Sequence, residues 1–250
     1  MRSLTARIFH SLLFSSAALL LLMLVGSLPL TAQDKTTPAP KAAETPTYRA
    51  GGTPIAIPPP AGLVEVGFDN RTIMEMFAPE SNRLLAAFVL PGDLPNLRTG
   101  SSAVLSKYSL VEVPRRGEFV DFGANDFKDM ADGASQGVSD VLNSSVKETE
   151  EEFNRRMKSL DLDNVKIGLD KPVQLGTFFS KPDAYGLGIA MPVTVNGTTT
   201  KMVAGIILLR VKDRAMFAYL YAVYKDQDTL IWLRKTTQDW ADAILKANAK

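Results

Sequence analysis

The segment Ala215 to Tyr224 constrains the fold more than any other part of the chain, because it is apolar on two sides. Alternate residues of an extended strand point to opposite faces. One face would carry Phe217, Tyr219, Tyr221 and Val223, and the other Ala218, Leu220 and Ala222. A strand with two apolar faces needs a covering layer on each side. The sequence therefore predicts a sheet that is covered on both faces.

Three β-rich runs precede this strand and predict an antiparallel meander with it: Val173 to Phe179, Tyr185 to Val195 and Thr199 to Val211. Turns are expected at 181–183, at Asn196-Gly197 and at 212–214. Asn-Gly is a strong hairpin signal because both residues tolerate the positive φ of a type I′ turn. Pro192 cannot donate to a ladder, so we expect an edge position or a bulge there.

Two helices are predicted around this meander. In the first, residues 125–160, Asn125 could act as the cap, and the apolar spacing slips at 143–145, which indicates a bend or a split. Its second half carries dense opposite charges, which are typical of a solvated face. The terminal helix would begin at a capping Asp228 and lie on the meander through one stripe: Leu230, Leu233, Thr237, Trp240, Ala241 and Ile244.

The folded region is expected to begin at Leu63 to Val66. A short amphipathic helix at Arg71 to Phe77 and two buried strands, Arg83 to Leu90 and Lys107 to Val113, would follow. Together these elements predict one α+β domain over residues 63–250, in which an antiparallel sheet is covered by helices and one long charged helix is inserted.

The first 32 residues predict export. Arg2 and Arg7 precede a nine-residue apolar centre, Ala17 to Val25, and Ala32 offers a small residue before a cut at Gln33. This favours a cleaved signal peptide and a periplasmic or secreted domain. The alternative is that Ser11 to Leu30 spans the inner membrane once, with the domain outside. Residues 33–62 contain seven prolines and predict a linker.

Composition excludes several kinds of chemistry. The chain has no cysteine, and its one histidine, His10, lies in the predicted leader. Thiolate nucleophiles, Cys-ligated metals and imidazole-dependent triads are therefore not expected in the mature protein. The formal net charge of +1 gives no electrostatic reason to expect nucleic acid, and a membrane contact is expected only through an uncleaved N-terminal segment.

Four local patterns could carry chemistry, and each has a simpler interpretation. Ser144 and Lys147 match a Ser-x-x-Lys pair, but its companion motifs are missing. Asp161 to Asn164 begins like a calcium loop without the later ligands. Gly186-Leu187-Gly188 lies inside a predicted strand rather than before a helix, so it does not indicate a dinucleotide site. Glu150 to Glu152, with Asp161 and Asp163, could supply a carboxylate pair for acid–base chemistry, but adjacent glutamates on a helix point in different directions.

Trp232, Trp240 and the tyrosines could line an apolar pocket between the sheet and the terminal helix, although core packing explains them better. The sequence therefore predicts no catalytic residue, no cofactor and no metal ligand.

The order of elements over residues 58–248 resembles the PsbP and DcrB-like group. The similar features are PPAGLVEV at Pro59 to Val66, the strands, helix and meander that follow, and the terminal helix at Thr229 to Asn248. This resemblance implies an antiparallel sheet sandwiched by helices. Members of that group differ widely in function, and their roles include accessory and assembly ones, so the resemblance carries over no functional residue.

We therefore expect a non-enzymatic binding or accessory module whose partner is a protein or a small apolar ligand of the cell envelope. Two alternatives remain open at this point. One is a histidine-free hydrolase of envelope polymers, and the other is a membrane-anchored interaction protein that docks through the charged helix near 147–158.

Overall fold

The computed structural model describes residues 45–67, 74–75, 78–99, 105–159 and 166–249, without the side chains of residues 96, 98, 99 and 136–145. In this part of the chain the strands are β1 (Thr47–Ala50), β2 (Thr53–Ala56), β3 (Val64–Glu65), β4 (Asn82–Val89), β5 (Lys107–Pro114), β6 (Ile167–Leu169), β7 (Val173–Lys181), β8 (Ala184–Val195), β9 (Thr198–Val211) and β10 (Arg214–Val223). The helices are α1 (Leu94–Thr99), α2 (Ala124–Ser159) and α3 (Gln227–Asn248).

Eight strands form one antiparallel sheet in the order β3-β4-β5-β10-β9-β8-β6, and β7 pairs with β8 beside β6. Strands β1 and β2 form a separate hairpin. The predicted fold class, an α+β domain with a helix-covered antiparallel sheet and one long charged helix, is confirmed. The predicted meander corresponds to β7 through β10, and Asn196 and Gly197 have φ values of 49° and 83°, as a type I′ turn requires.

The two apolar faces of β10 are each covered. Tyr219 and Tyr221 belong to the core under α2, together with Phe127 and Met157 of that helix. On the opposite face, Leu220 and its neighbours pack against α3 and the β1–β2 hairpin. The sheet is therefore the middle of three layers.

Helix α3 begins two residues earlier than predicted. Its cap is Asp226, whose carboxylate accepts the Thr229 N–H at 3.0 Å, so Asp228 lies inside the first turn. Trp240 is 2% exposed, donates its ring N–H to the Pro58 carbonyl at 2.8 Å and lies edge-on to Phe88. It belongs to the core, as the packing interpretation predicts.

Helix α2 is continuous from Ala124 to Ser159, so the predicted split at 143–145 is wrong. Both halves of the helix bury side chains in the same face of the sheet, Met130 in the first half and Phe153 in the second, and this shared surface supports one unbroken helix. The N-terminus is closed by the Asp126 carboxylate, which accepts the Gly123 N–H at 3.0 Å, rather than by Asn125.

The folded region begins before residue 63, inside the segment that was expected to be a linker. Gly51 and Gly52 have positive φ and turn the chain between β1 and β2, and Ile55 and Ile57 are fully buried. Asn248 of α3 holds β2 through hydrogen bonds to both the N–H and the carbonyl of Ala56. The hairpin was not predicted because the segment is rich in proline and its buried isoleucines, Ile55 and Ile57, are too few to give a strand pattern.

Two details of the β8 region also differ from expectation. Strand β6, which has three residues and pairs with the end of β8, was not predicted. Pro192 is at neither an edge nor a bulge, because it lies where the pairing of β8 passes from β7 to β6. Its carbonyl accepts the Asp170 N–H, so its missing donor faces this junction, where no regular ladder bond is lost.

Among the described residues, no helix is long and apolar enough to span a membrane.

Candidate functional site

An apolar groove opens at one end of the sheet, on the face that α3 covers. It has a volume of about 300 Å³ and is lined by Val173, Leu175, Ala190, Met191, Pro192, Lys201, Met202, Val203, Tyr224 and Leu230. Several of its walls are open to solvent: Val173 is 62% exposed, and Leu175 and Tyr224 are each 36% exposed. Lys201 is the one charged residue among the lining residues. The groove therefore offers an apolar surface to solvent with a single cation beside it.

The groove exists because the helical cover ends before the sheet does. Helix α3 begins at Gln227, after β10 has already ended at Val223, and its Leu230 forms one wall. Strands β8 and β9 continue to a hairpin at Asn196 and Gly197, beyond the level of that helix. The first residues of β7 form the opposite wall and are exposed from Val173 to Leu175.

Two glycines of β8 position this wall. A Cβ on Gly188 would lie 2.2 Å from the Phe178 ring and 3.1 Å from Leu175, and a Cβ on Gly186 would lie 2.4 Å from the Phe179 ring. The bare backbone therefore lets the side chains of β7 lie flat across β8. Gly186-Leu187-Gly188 is a packing feature inside a strand, as expected, and it does not precede a helix.

A buried acid lies on the other face of the sheet, under α2. Glu112 of β5 is 1% exposed and accepts a hydrogen bond from the Asn82 amide at 2.8 Å. Burial raises the pKa of Glu112 to about 8, although the Asn82 hydrogen bond and the Arg156 charge act in the opposite direction. The carboxyl is therefore largely protonated at neutral pH.

Three tyrosine rings lie beside this acid. Tyr108 and Tyr221 are stacked with centroids 4.6 Å apart, and Tyr219 stacks on Tyr221 at 6.1 Å. Burial, followed by the neighbouring Tyr108, raises the pKa of Tyr221, whose hydroxyl has no hydrogen-bond partner within the described structure. These groups are closed off from solvent, so they affect stability rather than offering a surface to a substrate.

Comparisons with known proteins give no family. No family model matches the chain, and no curated protein matches it. Among solved structures, the Ran-binding protein Mog1p of Saccharomyces cerevisiae matches with 11% identity and a TM-score of 0.30, over 82% of this chain and 90% of that one. A point mutant of Mog1 matches with 11% identity and a TM-score of 0.29, over 82% and 91%. Similarity at this level carries no functional conclusion for this chain.

The acidic cluster of α2 does not form a paired-carboxylate site. Glu150 accepts the Leu169 N–H, Glu151 faces Lys147 at 3.8 Å, and Glu152 binds Arg156. Adjacent glutamates on a helix thus bind three different partners, as the helical geometry predicts. Among the described residues, no cluster of acids and histidines could hold a metal ion.

The Ser-x-x-Lys pair is described in part. The Lys147 side chain is 89% exposed and lies near Glu151, and the Ser144 side chain lies outside the described residues. The calcium-like segment at 161–164 also lies outside them.

Trp232 is half-buried, and the Lys107 ammonium lies 3.9 Å from its ring centroid.

An apolar pocket between the sheet and the terminal helix was one interpretation of the sequence, but of the residues suggested for it only Tyr224 lines the groove, and Glu112 was not predicted. The groove depends on where α3 begins relative to the ends of β8 and β9, and that is a tertiary relation. Glu112 did leave a signal, because an acid at an alternate position of the apolar run Lys107 to Val113 is expected to face a core.

Proposed function

We propose that this protein is a non-enzymatic binding module of the bacterial cell envelope and that the groove holds a small apolar ligand. The observation that carries this proposal is the groove wall itself, where Val173, Leu175 and Tyr224 expose apolar surface together. Grouped exposed apolar side chains mark binding surfaces more often than scattered ones do. The volume is at the lower end of the range for small-molecule sites, about 300–1,000 Å³.

The chemistry of the walls favours a ligand of low polarity. Burying the exposed parts of Val173 and Leu175 would release water from apolar surface, which is the main source of affinity in such a site. The ammonium of Lys201 at the same groove would favour an uncharged or acidic ligand over a cationic one.

The cellular location rests on the N-terminal sequence. The basic start and the nine-residue apolar centre support export to the periplasm or beyond, with a retained inner-membrane span as the alternative. Accessory roles are among those of the PsbP and DcrB-like group, which this chain resembles in the order of its elements. The hydrolase alternative gains no support, because Lys147 faces solvent and Glu151.

The proposal predicts that polar substitutions in the groove weaken binding of an uncharged apolar probe. We expect the double substitution Val173→Asn and Leu175→Asn to lower the affinity of the full chain for N-phenylnaphthylamine about tenfold or more, since each removes apolar contact worth roughly 1 kcal/mol. The measurement is the probe's fluorescence in an equilibrium titration.

Ile231→Asn is the matched control. Ile231 is 58% exposed, like Val173, but it is not among the residues that line the groove. We expect this variant to bind the probe as the unmodified chain does, and any binding to the N-terminal segment is common to all three proteins. Equal losses in the groove variant and in Ile231→Asn would contradict a specific site, and so would wild-type affinity in the groove variant.

A further inference from the structure

The loop after β5 displays two adjacent apolar side chains at the end of the sheet opposite to the groove. Phe119 is 76% exposed and Val120 is 46% exposed, and Arg115 and Arg116 precede them on the same exposed loop. Exposed phenylalanine beside arginine is a combination that suits the boundary between lipid headgroups and acyl chains.

This loop is held rigidly by backbone hydrogen bonds. The Gly117 N–H binds the Pro114 carbonyl, the Val120 N–H binds the Gly117 carbonyl, and the Phe122 N–H binds the Asp213 carbonyl. Phe119 is therefore presented by a fixed turn, so little conformational freedom would be lost when it contacts a surface.

The side chain of Glu118 ties the loop to the N-terminal hairpin. It accepts the Gly51 N–H at 3.1 Å and pairs with Arg83, and the hydrogen bond from Arg83 is the main cause that lowers the pKa of Glu118. A Cβ on Gly51 would lie 2.0 Å from the Glu118 carbonyl oxygen, so the two turns touch.

Three turns meet at this end of the sheet and make it positively charged. The hairpin turn 49–54 contacts the β9–β10 turn, because Lys212 donates to the Pro54 carbonyl and Arg214 to the Thr53 hydroxyl. Arg214 in turn pairs with Asp121 of the Phe119 loop at 2.8 Å. The segments 49–54, 114–121 and 210–214 contain six cations, Arg49, Arg115, Arg116, Arg210, Lys212 and Arg214, against three acids, Glu118, Asp121 and Asp213. A fourth acid, Asp183 of the turn between β7 and β8, pairs with Arg210 at 2.6 Å, so the cations still outnumber the acids by two.

The charge is thus concentrated, since the whole chain carries a formal net charge of +1. The hairpin in this cluster is also the first described element, and it follows the N-terminal segment that predicts a leader or an anchor. Both the charge and the position in the chain fit a surface that faces a bilayer.

We propose that this end of the domain is a peripheral membrane-contact surface, in which Phe119 and Val120 enter the interface of an anionic bilayer and the surrounding arginines contact its headgroups. A partner protein fits this surface less well, because a stable protein interface buries about 800 Å² on each partner and the apolar apex here is two side chains. The proposal does not depend on the groove, which lies about 30 Å away along the ten residues of β10.

The test uses the absence of cysteine from the chain. A Val120→Cys variant of the full chain is labelled with an environment-sensitive nitrobenzoxadiazole group and mixed with phosphatidylglycerol or phosphatidylcholine vesicles. We expect a severalfold rise and a blue shift of its emission with phosphatidylglycerol, a weaker change with phosphatidylcholine, and a loss of the response in high salt. A probe at position 120 reports insertion of the loop itself, even where the N-terminal segment also holds the chain on the vesicle.

An Ile231→Cys variant carries the same label on the outer face of α3 and is expected to give no response. Adding Phe119→Ser to the labelled Val120→Cys chain should abolish the blue shift, and adding Arg116→Gln should weaken partitioning onto phosphatidylglycerol about fivefold. No response at position 120, or equal responses at positions 120 and 231, would overturn the proposal. The same labelled chain is also mixed with envelope protein that contains no lipid. A fluorescence change at position 120 with this protein, and none with vesicles, would overturn the proposal in favour of a protein partner.

Discussion

Replacing Gly205 with alanine is expected to destabilise the domain by about 2–3 kcal/mol, the upper part of the range for overpacking a core. Gly205 is in the middle of β9, on the face that α3 covers, and a Cβ there would lie 2.1 Å from the Thr237 hydroxyl oxygen. Thr237 is fully buried and donates to the Leu233 carbonyl, so it has no free direction in which to move. The free energy of unfolding, measured by circular dichroism in urea, should show this loss.

Two further variants make this test specific to the contact between the sheet and α3. Gly168→Ala is the control, because its Cβ would meet Thr194 at an ordinary 3.6 Å, and we expect the free energy of unfolding to stay within about 0.5 kcal/mol of the original. Combining Gly205→Ala with Thr237→Ala should cost less than the two single changes added together. Strict additivity would show that the two residues are not in contact.

The Glu112→Gln substitution is expected to remove most of the dependence of stability on pH between pH 5 and pH 8, a window set by burial of this acid. The folded protein keeps the proton on Glu112 up to about pH 8, whereas the unfolded chain releases it near the ordinary value of 4.5. The folded state therefore binds more protons in this window, and its stability falls as pH rises.

The size of this effect follows from the linkage. At pH 7 the original protein should be less stable than the glutamine variant by about 3 kcal/mol, and at pH 5 the two should be within about 1 kcal/mol. Glutamine keeps an oxygen that can accept the Asn82 hydrogen bond, so the comparison isolates the charge. Urea unfolding of both proteins at several pH values measures it, and parallel pH profiles would show that Glu112 is not the group responsible.

The layered fold could be predicted because its signals are local. The two apolar faces of β10 require a covering layer on each side. Asn196 and Gly197 are residue types that tolerate positive φ, so they indicate their turn by themselves. The continuity of α2 was not predictable, since a shared sheet face outweighs the weak helix propensity of residues 143–145. Long-range packing also hid the β1–β2 hairpin, which becomes stable only where Asn248 and Trp240 of α3 meet it.

The candidate sites depend even more on tertiary relations. Tyr224 and Val173 are about fifty residues apart, and they share a groove because β7 begins and β10 ends on the same side of the sheet. In the sequence Phe119 is a single aromatic residue in a loop. Only the fold brings together the three turns around it, which contain six cations. The two proposals together describe a domain that would contact a membrane with one end and present a ligand groove about 30 Å away at the other.

Binding of an apolar ligand in the groove, as proposed, can be located residue by residue. The measurement is the amide chemical shifts of the isotope-labelled full chain, recorded while N-phenylnaphthylamine is added. We predict that the largest amide shift changes occur at Val173, Leu175, Lys201, Val203 and Tyr224, with little change in α2 or at Phe119. Shifts concentrated in the β1–β2 hairpin, under α2 or around the Phe119 loop, with the groove amides unmoved, would contradict it.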